Sequence, residues 1–210
     1  MSTSRAETLE QLARLCRSGR EGPPPRVEPS GSASLDAVLP GGGWQSGTIV
    51  ELMPLSDGIG ELRLLMPALA KITQGERHVA MIAPPYIPFA PALLRHGLRL
   101  EHFWIIRAQN AADILWSAEQ TLRCKSFGAV LAWPSAIRDR EVRRLQLAAE
   151  AGSSIGFVYR QPSAARESSP AAVRLRLQAD VTGQLSIDVV KCRGARAGMS
   201  IDIAPALASA

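Results

Sequence analysis

Four short apolar runs, separated by stretches of helical periodicity, constrain this chain more than any other feature. They are Thr48–Met53 (TIVELM), His78–Ala83 (HVAMIA), Phe127–Trp133 (FGAVLAW) and Ser154–Tyr159 (SIGFVY). Each is too short for a buried helix and nearly free of charge, as a strand covered on both faces should be. Between them lie helical patterns at Glu61–Thr73, Pro88–Gly97, Ala111–Cys124 behind an Asn110 cap, and Arg138–Ala151. Parallel neighbours need a long crossover, so alternating strands and helices predict a mostly parallel central sheet with helices on both faces. His102–Arg107 reads as a further strand. Val173–Gln178 and Leu185–Lys191 alternate with period two around Thr182-Gly183 and predict a C-terminal antiparallel hairpin, with Met199–Ile203 as a last edge strand. Ser34–Leu39 reads as a short helix before a glycine-rich turn at Pro40–Gly47, and Pro67 is expected to kink its helix.

The N-terminal end reads differently. Ser4–Arg17 has a Ser4/Glu7 capping box, and Leu9, Leu12, Leu15 and Cys16 form one stripe. The stripe must be buried against its own domain or against a partner. Residues 19–31 (GREGPPPRVEPSG) are a Pro/Gly-rich linker. The expected organisation is therefore an arm and linker over residues 1–31, one domain over 32–205 and a tail at 206–210. A chain of 210 residues suits one α/β domain. No stretch approaches the roughly 18–20 apolar residues of a membrane helix, and the polar start lacks an apolar leader core. A cytoplasmic location without membrane attachment is expected. Cys16, Cys124 and Cys192 lie far apart, at neither a metal nor a disulfide spacing.

The loop after Thr48–Met53 invites a test for phosphate binding, because a strand, a glycine-containing loop and a helix are the setting of a P-loop. Such a loop needs a lysine for the β/γ oxygens and a hydroxyl for the metal. Here it reads Pro54-Leu55-Ser56-Asp57-Gly58-Ile59-Gly60-Glu61-Leu62. If Gly60 is the glycine before the lysine position, Glu61 replaces the cation and Leu62 the hydroxyl. Reversing a charge a few ångströms from a triphosphate costs on the order of several kcal/mol even at high effective dielectric. Asp57 adds a second negative charge. The strands at His78–Ala83 and Phe127–Trp133 also end without the carboxylates an ATPase uses. Neither a nucleotide cofactor nor a metal is expected. Ser32, Ser34 and Ser56 have no visible His/Asp partners, so the chain reads as a binding protein rather than an enzyme.

These residues carry a family resemblance. Ser30–Leu52 (SGSASLDAVLPGGGWQSGTIVEL) resembles the segment that leads into the P-loop of RecA. With Gly58–Leu69, Ala83–Leu93, Gly128–Pro134, Arg143–Glu150 and Ser169–Leu177, the chain resembles more closely the RecA-like ImuA family of bacterial mutagenesis accessories. The likeness runs from about residue 30 to 195. The same region is similar to SulA, a neighbouring family of cell-division inhibitors without ATPase residues. The resemblance implies a RecA-like P-loop fold with the loop degenerate. Through ImuA it implies a role in damage-induced translesion synthesis, with an inactive Y-family polymerase homologue (ImuB) and an error-prone polymerase as partners. DNA and RecA are further partners it brings in, and it leaves a homo-oligomer open. Through SulA it implies inhibition of the tubulin-like division protein.

Net charge is +5, and only Lys71, Lys125 and Lys191 are lysines among 24 basic residues. Arginine suits phosphates and acidic surfaces, although codon bias would give the same excess. In RecA-like proteins the loop before the last hairpin faces DNA. Carried onto this chain, that loop is Gln161–Ala172, and Lys191 and Arg193 stand for the basic pair on the hairpin. Arg166, Arg174, Arg176 and Arg196 join them as candidate DNA contacts, with a charged, solvent-facing sheet edge as the alternative. Arg138, Arg140, Arg143 and Arg144 read as a solvated face offset by Asp139 and Glu141, with a phosphate-facing patch as the alternative. Trp44, Trp104, Trp116 and Trp133 are spread among separate elements and read as packing residues. His78, His96 and His102 have no carboxylate or nucleophile at a recognisable spacing and read as structural.

Overall fold

The computed structural model describes residues 25–194 and 198–203. The expected helix at Ser4–Arg17, Cys16, Arg196 and the tail lie outside the described residues. The strands are β1 (Val27–Glu28), β2 (Trp44–Gln45), β3 (Thr48–Pro54), β4 (His78–Ile82), β5 (Phe103–Ile106), β6 (Phe127–Ala132), β7 (Ile155–Tyr159), β8 (Val173–Ala179), β9 (Leu185–Cys192) and β10 (Ser200–Ile203). The helices are α1 (Ala33–Asp36), α2 (Met66–Gln74), α3 (Ala90–Arg95), α4 (Ala111–Arg123) and α5 (Asp139–Gly152).

Eight strands form one sheet in the order β10-β9-β8-β3-β7-β6-β4-β5. The run from β8 to β5 is parallel, and β9 and β10 close it antiparallel. Central β3 is buried along nearly its whole length, and β6 and β7 are almost as enclosed. Two apolar layers result. One face packs Val50, Leu52, Leu131 and Phe157 against α1, α2 and Leu93 of α3. The other packs Ile49, Val130 and Val158 against Ile114, Ala118 and Leu122 of α4 and Val142, Leu145 and Ala148 of α5. Side chains alternate across a strand, so the interleaving of Ile49 and Val50 between the two layers follows from the pleat.

The helix ends follow local chemistry. Asn110 Oδ1 accepts from the Asp113 amide at 2.9 Å, which starts α4. Glu141 reaches back to the Arg138 amide at 2.7 Å and starts α5. The linker is shorter than its composition implies. Val27 and Glu28 already pair antiparallel with Gln45 and Trp44. Gly43 permits this, since a Cβ there would lie 2.5 Å from the Glu28 carbonyl oxygen.

The largest departure follows β3. The expected helix at Glu61–Thr73 begins only at Met66, and Pro67 opens it instead of kinking it. In the first turn a missing N–H costs nothing. Glu61–Leu65 instead form successive tight turns, with Arg63 N–H bonded to Gly60 O and Leu65 N–H to Leu62 O, both at 2.9 Å. The expectation of a RecA-like P-loop fold is thereby corrected. Gly58 and Gly60 do not lie at a helix N-terminus, and the Gly58 amide faces Glu61 Oε1 at 3.4 Å. Helix-dipole capture of phosphate requires the arrangement that these turns replace.

Candidate protein-docking surface

Eleven large hydrophobic side chains are exposed among the described residues, and seven of them fall between residues 86 and 116. Tyr86, Ile87 and Phe89 sit on the loop after β4, Leu94 on α3, Trp104 and Ile105 on β5, and Trp116 on α4. The others (Leu55, Leu147, Val181 and Met199) are scattered through the chain. Isolated exposed apolar residues are ordinary; these seven sit on elements of both layers at the β5 end of the sheet, and such a concentration at one edge is the pattern of an interaction surface.

The backbone explains why this side stays open. At the end of β4, Ala83 takes a left-handed conformation with φ 50° and turns the chain off the sheet. Pro84, Pro85 and Pro88 then leave few amides to continue any ladder. Tyr86 and Ile87 between them lie in no helix or strand. Among the described residues β5 pairs only with β4, and its outer edge has no strand beside it. Natural sheet edges are usually blunted by charge or proline. Phe103-Trp104-Ile105-Ile106 has neither, and Trp104 and Ile105, on opposite faces, are both exposed.

A cleft of about 310 Å³ lies at the C-terminal ends of β3, β6 and β7. Trp133 and Tyr159 stack in its wall, with ring centroids 4.2 Å apart and planes 11° from parallel. Ser56, Asp57 and Arg160 also line it. Arg160 is committed inward, to Glu51 at 3.0 Å, Glu167 at 2.7 Å and the Ile137 carbonyl at 3.3 Å. Burial, reinforced by the charge of Glu61, holds the Tyr159 hydroxyl well above the usual phenol range. That hydroxyl and Glu61 Oε2 are buried with no hydrogen-bond partner among the described residues. The former P-loop candidates Pro54, Ser56 and Asp57 thus rim a cleft whose cation is already paired.

The five basic candidates among the described residues, Arg166, Arg174, Arg176, Lys191 and Arg193, do not form one outward patch. Arg174 is buried, its Nε bonded to Glu51 at 2.6 Å and its remaining nitrogens to the carbonyls of Glu167 and Ala164, each at 2.7 Å. Arg176 is exposed but forks onto Asp188, and Lys191 Nζ donates to the Ser169 carbonyl at 2.6 Å. Arg166 and Arg193 are exposed, and Arg166 shares a shallow depression with Arg176. Arg140 and Arg144 pair with Glu141 and Glu119. Trp44 lies in the core, Trp133 in the cleft wall, and Trp104 and Trp116 outside. The docking face went unmarked in the sequence reading. Its readable signal was Pro-Pro-Tyr-Ile-Pro-Phe at 84–89, large apolar residues in a segment where proline forbids both helix and central strand.

Comparison with known proteins points to one family. The family model "Cell division inhibitor SulA" matches residues 47–156, from the start of β3 into β7. A curated cell division inhibitor SulA of Photorhabdus laumondii is 25% identical over 112 residues, 53% of this chain and 63% of that protein. The chain therefore spans less than two thirds of that relative. The SulA of Pectobacterium atrosepticum is 29% identical over 119 residues, 56% of this chain and 71% of that protein. Among solved structures, SulA from Pseudomonas aeruginosa is 27% identical, covering 53% of this chain and 97% of that one at a TM-score of 0.45. The expected partners, a polymerase homologue with its error-prone polymerase, DNA and RecA, are overturned by the family match, which is to division inhibitors and not to polymerase accessories. The P-loop assignment gives way likewise to a SulA-like α/β fold with a mostly parallel eight-stranded sheet. The matched range takes in more than half of the sequence and the whole exposed face, and the chain belongs to the SulA family.

Proposed function

We propose that this chain is a SulA-type cell-division inhibitor that binds the tubulin-like division protein through the exposed face between Tyr86 and Trp116. The observation that carries this reading is the coincidence of the family match at residues 47–156 with the stretch holding seven of the eleven exposed large hydrophobics. Aromatic and aliphatic anchors on a loop and an open strand edge are the composition of interface centres. Inhibition by docking asks no chemistry of the inhibitor, and the arginine lining the cleft beside Ser56 and Asp57, Arg160, is already held by Glu51 and Glu167. The protein therefore acts by occupancy and not as an enzyme. Its partner is a cytoplasmic polymer, which places the inhibitor in the cytoplasm. No helix among the described residues is long and apolar enough to cross a membrane.

Two measurements test the proposal. Overexpression should produce filamentous cells, and the purified chain should reduce sedimentable polymer of the division protein at near-stoichiometric ratios. The triple variant Tyr86→Ala/Ile87→Ala/Phe89→Ala should stay folded and lose both effects. Cells of normal length together with unaltered polymerisation would reject the reading. The finer resemblance to ImuA makes the opposite forecast, normal division on overexpression and lost damage-induced mutagenesis on deletion, so the same strains separate the two.

A further inference from the structure

Parallel pairing of β4 and β5 sets Val79 opposite Phe103, and this brings the preceding side chains, His78 and His102, together at the N-terminal end of the pair. Their Nδ1 atoms are 3.4 Å apart, their ring centroids 5.0 Å, and their planes are tilted by 47°. The separation exceeds the ~2.9–3.0 Å typical of an N–H hydrogen bond. Two imidazoles pointing nitrogen to nitrogen would also hold their ring centres farther apart than this. The nitrogens are therefore not aimed straight at each other. An ion about 2.0–2.1 Å from each, the usual zinc–imidazole length, would subtend about 110° between them, close to the tetrahedral angle.

The surroundings suit such an ion. Trp104 Nε1 stands 3.3 Å from the same His78 nitrogen, so His78 Nδ1 is shared between two long contacts and tightly held by neither. The Trp104 side chain is exposed and can swing aside. The Phe127 ring closes one flank, 5.5 Å from His78 centre to centre. No group of three or more His, Cys, Asp or Glu among the described residues converges on a metal position. Two coordination positions therefore fall to water. Imidazoles without carboxylates favour zinc, nickel and copper over magnesium and calcium.

The geometry points to a two-histidine site, His78 and His102, for a divalent transition-metal ion of the zinc type at the rim of the β5 edge. Each ring must carry its proton on Nε2, leaving Nδ1 as the donor to the ion. The site is independent of the docking reading, since it needs only the β4–β5 pairing.

Calorimetry on the full chain with Zn²⁺ alone should give one saturable site in the micromolar range, and Mg²⁺ should give none. Ni²⁺ should quench a part of the tryptophan fluorescence that Trp104→Phe removes while zinc binding persists. His78→Ala and His102→Gln should each weaken zinc binding at least about tenfold, and the second, at the end of the short turn before β5, guards against misfolding of the first. Absence of saturable zinc binding below millimolar concentration overturns the proposal. So does binding that survives the double variant, which would place the ion at Cys124 or elsewhere.

Discussion

Glu51 and Arg174 face each other across the parallel pair β3–β8, and Glu51 Oε2 accepts from Arg174 Nε at 2.6 Å with both side chains shut away from water. The other carboxylate oxygen accepts from Arg160 at 3.0 Å and from the Ser169 hydroxyl at 2.7 Å. One acid in the centre of the sheet thus ties Arg160 just after β7, Ser169 in the segment 161–172 and Arg174 at the start of β8 into one body. Glu167, on Arg160, balances the second guanidinium.

Removing the charge at the centre of this network should be costly. Glu51→Gln leaves two buried guanidiniums without their shared carboxylate, and the loss of one partner of a buried pair costs about 3–5 kcal/mol. Urea unfolding should show that drop in midpoint at unchanged slope. The double variant Glu51→Leu/Arg174→Met should lose less than the two single losses added together, because the groups are coupled.

Gly152 closes α5 against the end of α4. A Cβ at this position would lie 1.9 Å from the Leu122 carbonyl oxygen and 2.9 Å from the Arg123 carbonyl carbon. Both obstacles are backbone, so no side chain can move out of the way. Gly152→Ala should destabilise by more than about 3 kcal/mol, at the exceptional end for single substitutions. Thermal unfolding checks it, with Gly58→Ala as a comparison where nothing lies within 4 Å and only the positive φ resists.

Much of the sheet was legible because its strands are buried on both faces. Val79–Ile82 and Ala129–Ala132 can be little else, and period-two alternation marked Val173–Ala179 and Leu185–Cys192. The start of α2 was not legible. Glu61–Leu65 has helical periodicity, but Gly60 and Pro67 favour turns followed by a proline-led helix, and a local pattern does not rank the two. Arg174 was misread for a different reason. Arginine on an alternating strand looks solvent-facing unless its acid is known, and Glu51 lies 123 residues away in sequence. The docking face was hidden because exposure of Tyr86 or Trp104 is a property of the assembled sheet edge.

The Tyr159 hydroxyl offers a test with a defined sign in pH. It is buried with no partner among the described residues, which costs about 1–3 kcal/mol for such a group, so Tyr159→Phe should be neutral or stabilising by roughly 1 kcal/mol at pH 7. Burial and Glu61 raise its pKa in the folded state. The unfolded chain then loses the proton first, and the contribution, complete below the unfolded value near 10, falls as pH rises past it. Burial raises the Cys192 thiol too, with the same sign. The informative quantity is therefore the difference between wild type and Tyr159→Phe, which should widen in favour of the variant as pH rises above about 10. A constant gap in urea titrations across that range would mean the phenol is not held neutral by the fold.

Ile105 allows the docking face to be tested apart from stability. It is 38% exposed on an edge strand, and a lysine stem can cover what the isoleucine covers, so Ile105→Lys should change unfolding free energy by no more than about 1 kcal/mol. A lysine there restores the protection that the Phe103–Ile106 edge lacks. If this edge carries the partner, the variant should unfold like wild type and yet fail to reduce polymer of the division protein in sedimentation. A mixed set of anchors would show differently. Loss of inhibition in the Tyr86/Ile87/Phe89 variant with full activity in Ile105→Lys would confine the contact to the loop and leave the strand edge free.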